Sequence, residues 1–178
     1  DALLLFREGQ LVAERYRAGI SAEARHSGGA MSTCVTGALI GLLVADGRLR
    51  LDQGVPVPSW QRPGDPRGEI TLRHLLQMRG GLRHDEESDL ARMLYLDARD
   101  DVAAYAEAQP LEAEAGRRWA WSSAGAMVLS DLAARALTDS TLPDVRRRMV
   151  ADYLHTRLLD PVGMRAAVPE FDAAGTML

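Results

Sequence analysis

One apolar segment, residues 30–45, constrains this chain more than any other feature. Its apolar side chains recur every three or four residues, the period of a helix that is buried on one side or on most sides. The recurring positions are Met31, Val35, Ala38, Leu39, Leu42 and Leu43. Two glycines precede the segment and Asp46-Gly47 follows it, where glycine adopts a left-handed cap without steric cost. The sequence therefore predicts a central helix whose first turn gathers free backbone N–H groups, a position that suits a nucleophile or an anion.

Composition limits the class of protein. Hydrophobic residues are 47% and charged residues 26% of the 178 residues, so the chain can bury a core and is most simply one domain or a large part of one. The net charge of -4, with no basic face, argues against a nucleic-acid partner. The single cysteine, Cys34, excludes an intrachain disulfide. Because no apolar run approaches the roughly 20 residues of a membrane span and no signal peptide is visible, we expect a soluble, cytoplasmic protein without membrane contact.

The other segments predict a β-hairpin followed by helices. Residues 2–6 and 11–16 are apolar-rich runs joined by a glycine turn, and the helix near Ala30 is the obvious element to cover their apolar face. The prolines and glycines of residues 53–69 predict an irregular connection on the surface. Shorter helices are expected at 71–78, with Thr71 as the N-cap, at 90–96, at 102–108, with Asp100 or Asp101 as the N-cap, and at 126–137 and 144–159.

Four sequence blocks together resemble a known enzyme family. They are Met31–Asp52, Ile70–Leu82, Arg118–Leu129 and Leu158–Met164. In their order and spacing they resemble the serine β-lactamase and penicillin-binding protein superfamily, in the branch of class C β-lactamases, family VIII carboxylesterases and 6-aminohexanoate-dimer hydrolases. The resemblance implies an α/β (α+β) fold of the β-lactamase/transpeptidase type. Its expected parts are an N-terminal β-hairpin and a mostly helical body, with the remaining sheet strands outside this chain.

The resemblance also implies that residues 1–178 are the N-terminal part of a single domain. We expect the sheet hairpin at 1–20, the helical region at 21–165 and a run-in to a second half at 166–178. Members of the family carry a Lys/His-x-Gly strand late in the chain, and no such block occurs before Leu178. Either a companion chain carries the C-terminal half, or the sequence is a fragment of a longer chain.

The family motifs imply where a catalytic site would lie. Such enzymes use Ser-x-x-Lys at the start of the central helix, where the serine attacks a carbonyl and the lysine handles its proton. By resemblance, the serine position falls on Ala30 and the lysine position on Thr33, and the chain contains no lysine. The family's proton-transferring tyrosine falls on Trp121, whose indole N–H donates hydrogen bonds but cannot shuttle a proton. Gly125 stands where an asparagine often follows. Ordinary acyl-enzyme hydrolysis is therefore not expected.

These positions predict a pocket for a small ester- or amide-like molecule, bordered by Ala30, Thr33 and Trp121. Further pocket residues are Ser32, Ser123, Gly125 and Trp119. No cofactor and no metal are expected. One interpretation is a non-hydrolytic pseudoenzyme or a repurposed or engineered pocket. The alternative is an active enzyme that uses Cys34 or residues of a second half.

Several of these side chains also have a purely structural interpretation. Cys34 could act as a nucleophile with His26 as its base, but a small buried thiol within a helix is favoured. Trp119 and Trp121 could stack a flat ligand, but core packing of at least one of them is favoured.

Three histidines and one run of arginines are expected to be structural or solvated. His84, followed by three acidic residues, could bind a metal, but a solvated polar loop at 83–89 is favoured because the spacing lacks the geometry of helical ligands. His74 and His155 are expected to be structural or exposed. Residues 146–148, three consecutive arginines, predict a surface charge run.

Overall fold

The computed structural model describes all 178 residues as a β-hairpin followed by a helical body. The hairpin pairs β1 (Ala2–Arg7) with β2 (Gln10–Tyr16) in antiparallel register. The α-helices are α1 (Ser32–Ala45), α2 (Leu72–Leu76), α3 (Glu86–Tyr95), α4 (Val102–Glu107), α5 (Ser123–Leu137) and α6 (Pro143–Leu154). The predicted α+β class, with an N-terminal hairpin and a mostly helical body, is confirmed. None of the helices combines the length and the apolar character needed to cross a bilayer.

Helix α5 lies at the centre of the helical body. Most of its residues are buried, and each of the other five α-helices contacts it. Its alanines and glycine allow those neighbours to approach closely, and its leucines fill the space between them. Helix α1 buries a single stripe, which consists of Thr36, Leu39, Ile40 and Leu43. The segment predicted as the central helix is therefore a flanking helix, because its remaining faces, with Cys34, Ala38 and Gly41, are exposed.

The hairpin is exposed on both faces. Every residue from Ala2 to Arg15 is exposed, including the apolar side chains of Leu3 and Phe6. The prediction that the helix near Ala30 covers this hairpin is wrong for these residues. The turn itself sets the strand register, because Glu8 and Gly9 both have positive φ (52° and 78°), as a two-residue hairpin turn of type I′ requires.

Residues 53–69 are irregular and run mostly over the surface, as predicted, although Val55, Val57 and Trp60 are buried. Two 3₁₀ turns, Pro58–Gln61 and Pro66–Glu69, each begin with a proline that fits the first turn. Trp60 is fully buried, and its indole nitrogen donates to the carbonyl oxygen of Glu107 at 2.8 Å. The sequence does not reveal these buried positions, because buried residues in an irregular segment follow neither a helical nor a strand period.

Side-chain caps determine where the helices begin. The Thr71 cap of α2 is present as predicted, and His74 completes its capping box. Asp85 accepts the backbone N–H of Ser88, so α3 begins at Glu86, inside the segment predicted as a polar loop. Ser122 accepts the backbone N–H of Gly125, so α5 begins three residues before the predicted start.

The three consecutive arginines do not form a surface charge run. The Arg146 side chain is only 12% exposed and pairs with the buried carboxylate of Asp131 in α5. Arg147 donates from Nη2 to the carbonyl oxygen of Asp172 at 2.7 Å. Only Arg148 is exposed. The prediction is wrong because two of these side chains fasten α6 to α5 and to the C-terminal segment.

Candidate functional site

The start of α1 holds the positions predicted for the nucleophile and the lysine. Ala30 is exposed and lies in a 3₁₀ turn, Gly29–Met31, that leads into α1. Ser32 Oγ donates to the carbonyl oxygen of Gly29 at 2.7 Å, and Thr33 Oγ1 donates to that of Ala30 at 2.7 Å. The main chain of the same turn therefore uses both hydroxyl protons, and no hydrogen bond joins either hydroxyl to another side chain.

The thiol of Cys34 is exposed, so the favoured interpretation as a buried thiol is wrong. The residue lies on the face of α1 away from the buried stripe of that helix. His26, its predicted base, is also exposed, and no hydrogen bond joins the two side chains. A nucleophilic role for Cys34 stays a prediction.

A second part of the site, which we term the Trp121 corner, consists of residues 78–84 and 112–123 with Glu86. Backbone hydrogen bonds join the two segments: Ala120 donates to Met78 at 2.9 Å and Gly116 donates to Arg79 at 2.8 Å. Within this corner Trp119 is 65% exposed and Trp121 is 37% exposed. The prediction that at least one of them packs in the core is wrong, because both precede the Ser122 cap at which the chain enters α5.

Met78 and Gly81 in the Trp121 corner have a positive φ, which is unfavourable for a residue with a side chain. Met78 has a φ of 56°, which costs on the order of 1–3 kcal/mol in a residue with a side chain. Gly81 has a φ of 78°, and a Cβ atom there would lie 2.2 Å from the carbonyl oxygen of Ala113. The two segments therefore approach so closely that only glycine fits at position 81.

A small cavity borders Trp121. It has a volume of about 40 Å³, and its wall includes Leu75, His84, Ser122, Gly125 and Trp121. Of the predicted pocket residues, Trp121 and Gly125 line this cavity; Ala30, Ser32, Thr33, Ser123 and Trp119 do not. Such a volume accommodates one or two water molecules rather than a substrate.

The Glu86 carboxylate connects this corner to α3. Ser123 donates from Oγ to Oε1 of Glu86 at 2.5 Å and from its backbone N–H to Oε2 at 3.3 Å. His84 Nε2 lies 2.5 Å from the same Oε2. Burial alone would raise the pKa of Glu86, but hydrogen bonds from Ser123, His84 and Trp121 outweigh burial and lower the pKa below its usual value. Glu86 is therefore an ionised acceptor for donors from two segments, the loop before α3 and the start of α5.

His84 is buried, so its interpretation as part of a solvated loop is wrong. Its side chain is 2% exposed, and its Nδ1 lies 3.3 Å from Asp89 Oδ2 without hydrogen-bond geometry. Tyr105 donates to Asp89 Oδ1 at 2.5 Å. Burial would raise the pKa of Asp89, but the bonds from Tyr105 and the Asp85 N–H lower it. No group of three or more His, Cys, Asp or Glu residues is arranged to hold a metal ion.

Sequence reasoning missed Glu86 and the burial of His84. Their partner Ser123 lies 37 residues away from Glu86 along the chain, so no local spacing connects them. The Asp85 cap was the one local signal, because a cap there starts a helix at Glu86 and removes the loop from solvent.

Residues 1–169 match the family model described as Beta-lactamase. The chain belongs to the beta-lactamase family. Membership in this family confirms the resemblance to serine β-lactamases and penicillin-binding proteins. The class C and family VIII assignments stay predictions. No curated protein sequence matches the chain.

Two solved structures resemble this member of the beta-lactamase family. A Bacillus anthracis protein provisionally assigned as a 6-aminohexanoate-dimer hydrolase superposes with a TM-score of 0.67 and 20% identity, over 88% of this chain and 43% of that chain. The octameric penicillin-binding protein homologue from Pyrococcus abyssi superposes with a TM-score of 0.54 and 22% identity, over 76% of this chain and 30% of that one. At these identities the likeness shows the fold. The chain spans less than half the length of either structure.

Proposed function

We propose that residues 1–178 form a beta-lactamase-family scaffold that binds a small ester- or amide-like ligand without forming an acyl-enzyme. The observation that carries this proposal is the start of α1. Ala30 offers a methyl group at the nucleophile position, and the hydroxyls of Ser32 and Thr33 both donate to the main chain. The chain contains no lysine that could accept a serine proton. Loss of the nucleophile alone lowers turnover on the order of 10⁶-fold in a serine hydrolase.

The ligand we propose is flat and lies on the exposed indoles. Trp119 and Trp121 both present aromatic surface to solvent, whereas the adjoining cavity of about 40 Å³ is too small for a substrate. Aromatic faces favour stacking with planar groups. The residues of this chain would then provide one wall of the binding site.

We further propose that the other wall is provided by a C-terminal half, carried either by a second polypeptide or by a longer form of this chain, which we term the companion. The solved Bacillus anthracis structure is matched over only 43% of its length, so more than half of that protein has no counterpart in residues 1–178. The exposed apolar hairpin supports such a partner, because a two-stranded sheet is marginally stable in water and its edges are open to further strands.

Covalent labelling tests the absence of acyl transfer. We expect no mass shift when the protein, alone and with its companion, is treated with a fluorophosphonate or a penicillin and its intact mass is measured. A stoichiometric shift on a residue of this chain would overturn the proposal. The matched variant carries Ala30→Ser, Thr33→Lys and Trp121→Tyr together, and with the companion present it should gain ester hydrolysis. If this variant gains nothing, the three site positions are misassigned.

Aromatic substitution tests the ligand wall. With p-nitrophenyl butyrate as the probe, we expect Trp121→Ala to weaken binding about tenfold, since an aromatic contact contributes on the order of 1 kcal/mol beyond its area. Trp119→Phe keeps an aromatic face and should bind as the unmodified protein does. Equal binding by Trp121→Ala and the unmodified protein, measured by calorimetry, would exclude Trp121 from the site.

The exposed thiol of Cys34 favours a second candidate function, an active hydrolase with a cysteine nucleophile. In that case Cys34→Ala abolishes turnover of p-nitrophenyl butyrate by the protein with its companion, and Cys34→Ser retains a small fraction of it. Full turnover by Cys34→Ala would exclude the thiol.

A further inference from the structure

The Glu86 carboxylate joins the start of α3 and the loop before it to the start of α5, which is 37 residues away in sequence. It projects from the first turn of α3, receives the Oγ–H and N–H of Ser123 at the start of α5, and contacts His84 from the preceding loop. His84 and Trp121 also share the wall of the small cavity. Any change in this carboxylate therefore acts directly on the segment that carries Trp121.

We propose that Glu86 is a positioning residue: through its hydrogen bonds with Ser123 the ionised carboxylate fixes the start of α5, and with it the Trp121 indole two residues earlier, and protonation of the carboxylate releases the indole. The role as a ligand wall rests on the proposed function. The coupling between Glu86 and Trp121 does not, because it follows from contacts within the chain.

The surroundings of Glu86 favour its ionised form. The groups that face it are the His84 ring and the hydroxyl and backbone N–H of Ser123, all of which can donate hydrogen bonds. A protonated carboxyl group loses one acceptor oxygen to these donors. The lowered pKa of Glu86 agrees with this arrangement, so release belongs to acidic solution, below the usual range of a glutamate.

A second carboxylate lies at the other edge of the His84 ring without a hydrogen bond to it. Asp89 is buried at 3.3 Å from His84 Nδ1, and it is bonded in turn by Tyr105 at 2.5 Å. Arg83 faces Asp89, at 3.8 Å, rather than Glu86. The Glu86 carboxylate thus lies between the buried imidazole of His84 and the start of α5 and contacts both, which is the geometry that a positioning residue requires.

The same cavity provides a matched control. Glu112 also lines its wall, but its side chain is half-exposed and pairs with Arg118 at 2.5 Å rather than with the start of α5. Substitution of Glu112 therefore changes the charge beside the cavity by the same amount without touching the contacts of Ser123 or His84.

Fluorine NMR on protein labelled with 5-fluorotryptophan tests the coupling. The chain has three tryptophans, so Trp60→Phe, Trp119→Phe and Trp121→Phe assign the three resonances. At pH 7 we expect the Trp121 resonance to shift and broaden in Glu86→Gln and to stay in place in Glu112→Gln. In the unmodified protein the same resonance should move as the pH falls below the usual glutamate range, while that of buried Trp60 stays constant. An unchanged Trp121 resonance in folded Glu86→Gln overturns the proposal.

Two further measurements, a pH titration and the binding of a probe, decide the cases that the Glu86→Gln variant leaves open. If Glu86→Gln does not fold, as judged by circular dichroism, the pH titration of the unmodified protein decides. A Trp121 resonance that moves only together with that of Trp60 reports global unfolding and overturns the proposal.

Binding of p-nitrophenyl butyrate separates this inference from the proposed function. If the unmodified protein does not bind the probe, the ligand wall fails while the fluorine result still decides the role of Glu86.

Discussion

The start of α1 and the Trp121 corner are the two parts of the candidate site, and they are held in place differently. At the start of α1, hydrogen bonds are local: each hydroxyl reaches a carbonyl three residues earlier. In the Trp121 corner, Glu86 and Ser123 bond across 37 residues, and backbone bonds join two distant segments. The first part is a simple helix start, whereas the second depends on contacts between distant segments and contains strained backbone.

This difference indicates which part can change without loss of the fold. The methyl group of Ala30 and the hydroxyl group of Thr33 have no structural role beyond their own turn. In the corner, by contrast, His84, Glu86 and Ser123 each stabilise the others. We therefore expect substitutions in the corner to affect stability strongly, and equivalent substitutions at the start of α1 to affect it little.

The largest expected difference in stability is between alanine variants of two glycines, one in each part of the site. Gly81→Ala should lower the free energy of unfolding by about 3 kcal/mol or more, because its Cβ would overlap the Ala113 carbonyl oxygen in addition to the cost of a positive φ. Gly29→Ala, with a φ of 49° and no atom within 4 Å of the added Cβ, should cost only about 1 kcal/mol. Urea unfolding of both variants measures the contrast, and equal losses would contradict it.

Acid should act on Asp89, which lies next to His84 of the corner, rather than on the start of α1. The pKa of Asp89 is lower in the folded protein than its usual value, so its stabilising contribution is present above the ordinary aspartate range and is lost as the pH falls through the folded pKa. Asp89→Asn should cost about 2 kcal/mol at pH 7 and should flatten the fall in stability between about pH 4 and pH 2.

Thr33→Val is the matched control for this titration, because Thr33 contacts no ionisable group. Its unfolding free energy, measured by urea denaturation across the same range, should run parallel to that of the unmodified protein. A curve for Asp89→Asn that is also parallel would show that Asp89 does not contribute to acid sensitivity.

The smallest expected difference in stability is between the variants that remove the hydroxyl groups of Ser122 and Thr33. Ser122→Ala removes the cap of α5 and should cost about 1 kcal/mol, since the cap satisfies an otherwise unpaired backbone N–H. Thr33→Ala removes only a hydroxyl bond to the preceding turn and replaces threonine by a better helix former, so its effect should stay below about 0.5 kcal/mol. Thermal unfolding ranks the two variants, and a larger loss for Thr33→Ala would reverse the comparison.

Features that depend on neighbouring residues were predictable from the sequence. The hairpin, α1 with its Asp46-Gly47 end, the Thr71 cap and the Asp101 cap all arise from side chains within a few residues of the backbone groups they satisfy. The four family blocks, taken in order, indicated the family that the match over residues 1–169 confirms.

Burial was less predictable where it depends on distant partners. Trp60 lies in an irregular segment and is buried because it reaches Glu107, 47 residues away. His84 lies among acidic residues, which suggests solvent, yet it is enclosed between Glu86 and Asp89. Arg146 likewise reads as surface charge but pairs with buried Asp131. A polar residue can be buried when a partner compensates its desolvation, and the partner is set by the fold rather than by local spacing.

The sequence by itself determined the local elements, the family and the chemical identity of the groups at Ala30, Thr33 and Trp121. Helix periods, caps and turns act over a few residues, so one sequence suffices to predict them. The tertiary structure alone decided that α5 rather than α1 is central and that the hairpin is uncovered. It also decided that Glu86 accepts a hydrogen bond from Ser123 at the start of α5. These outcomes depend on which surfaces meet, and burial and ion pairing gain their free energy only when distant segments come together.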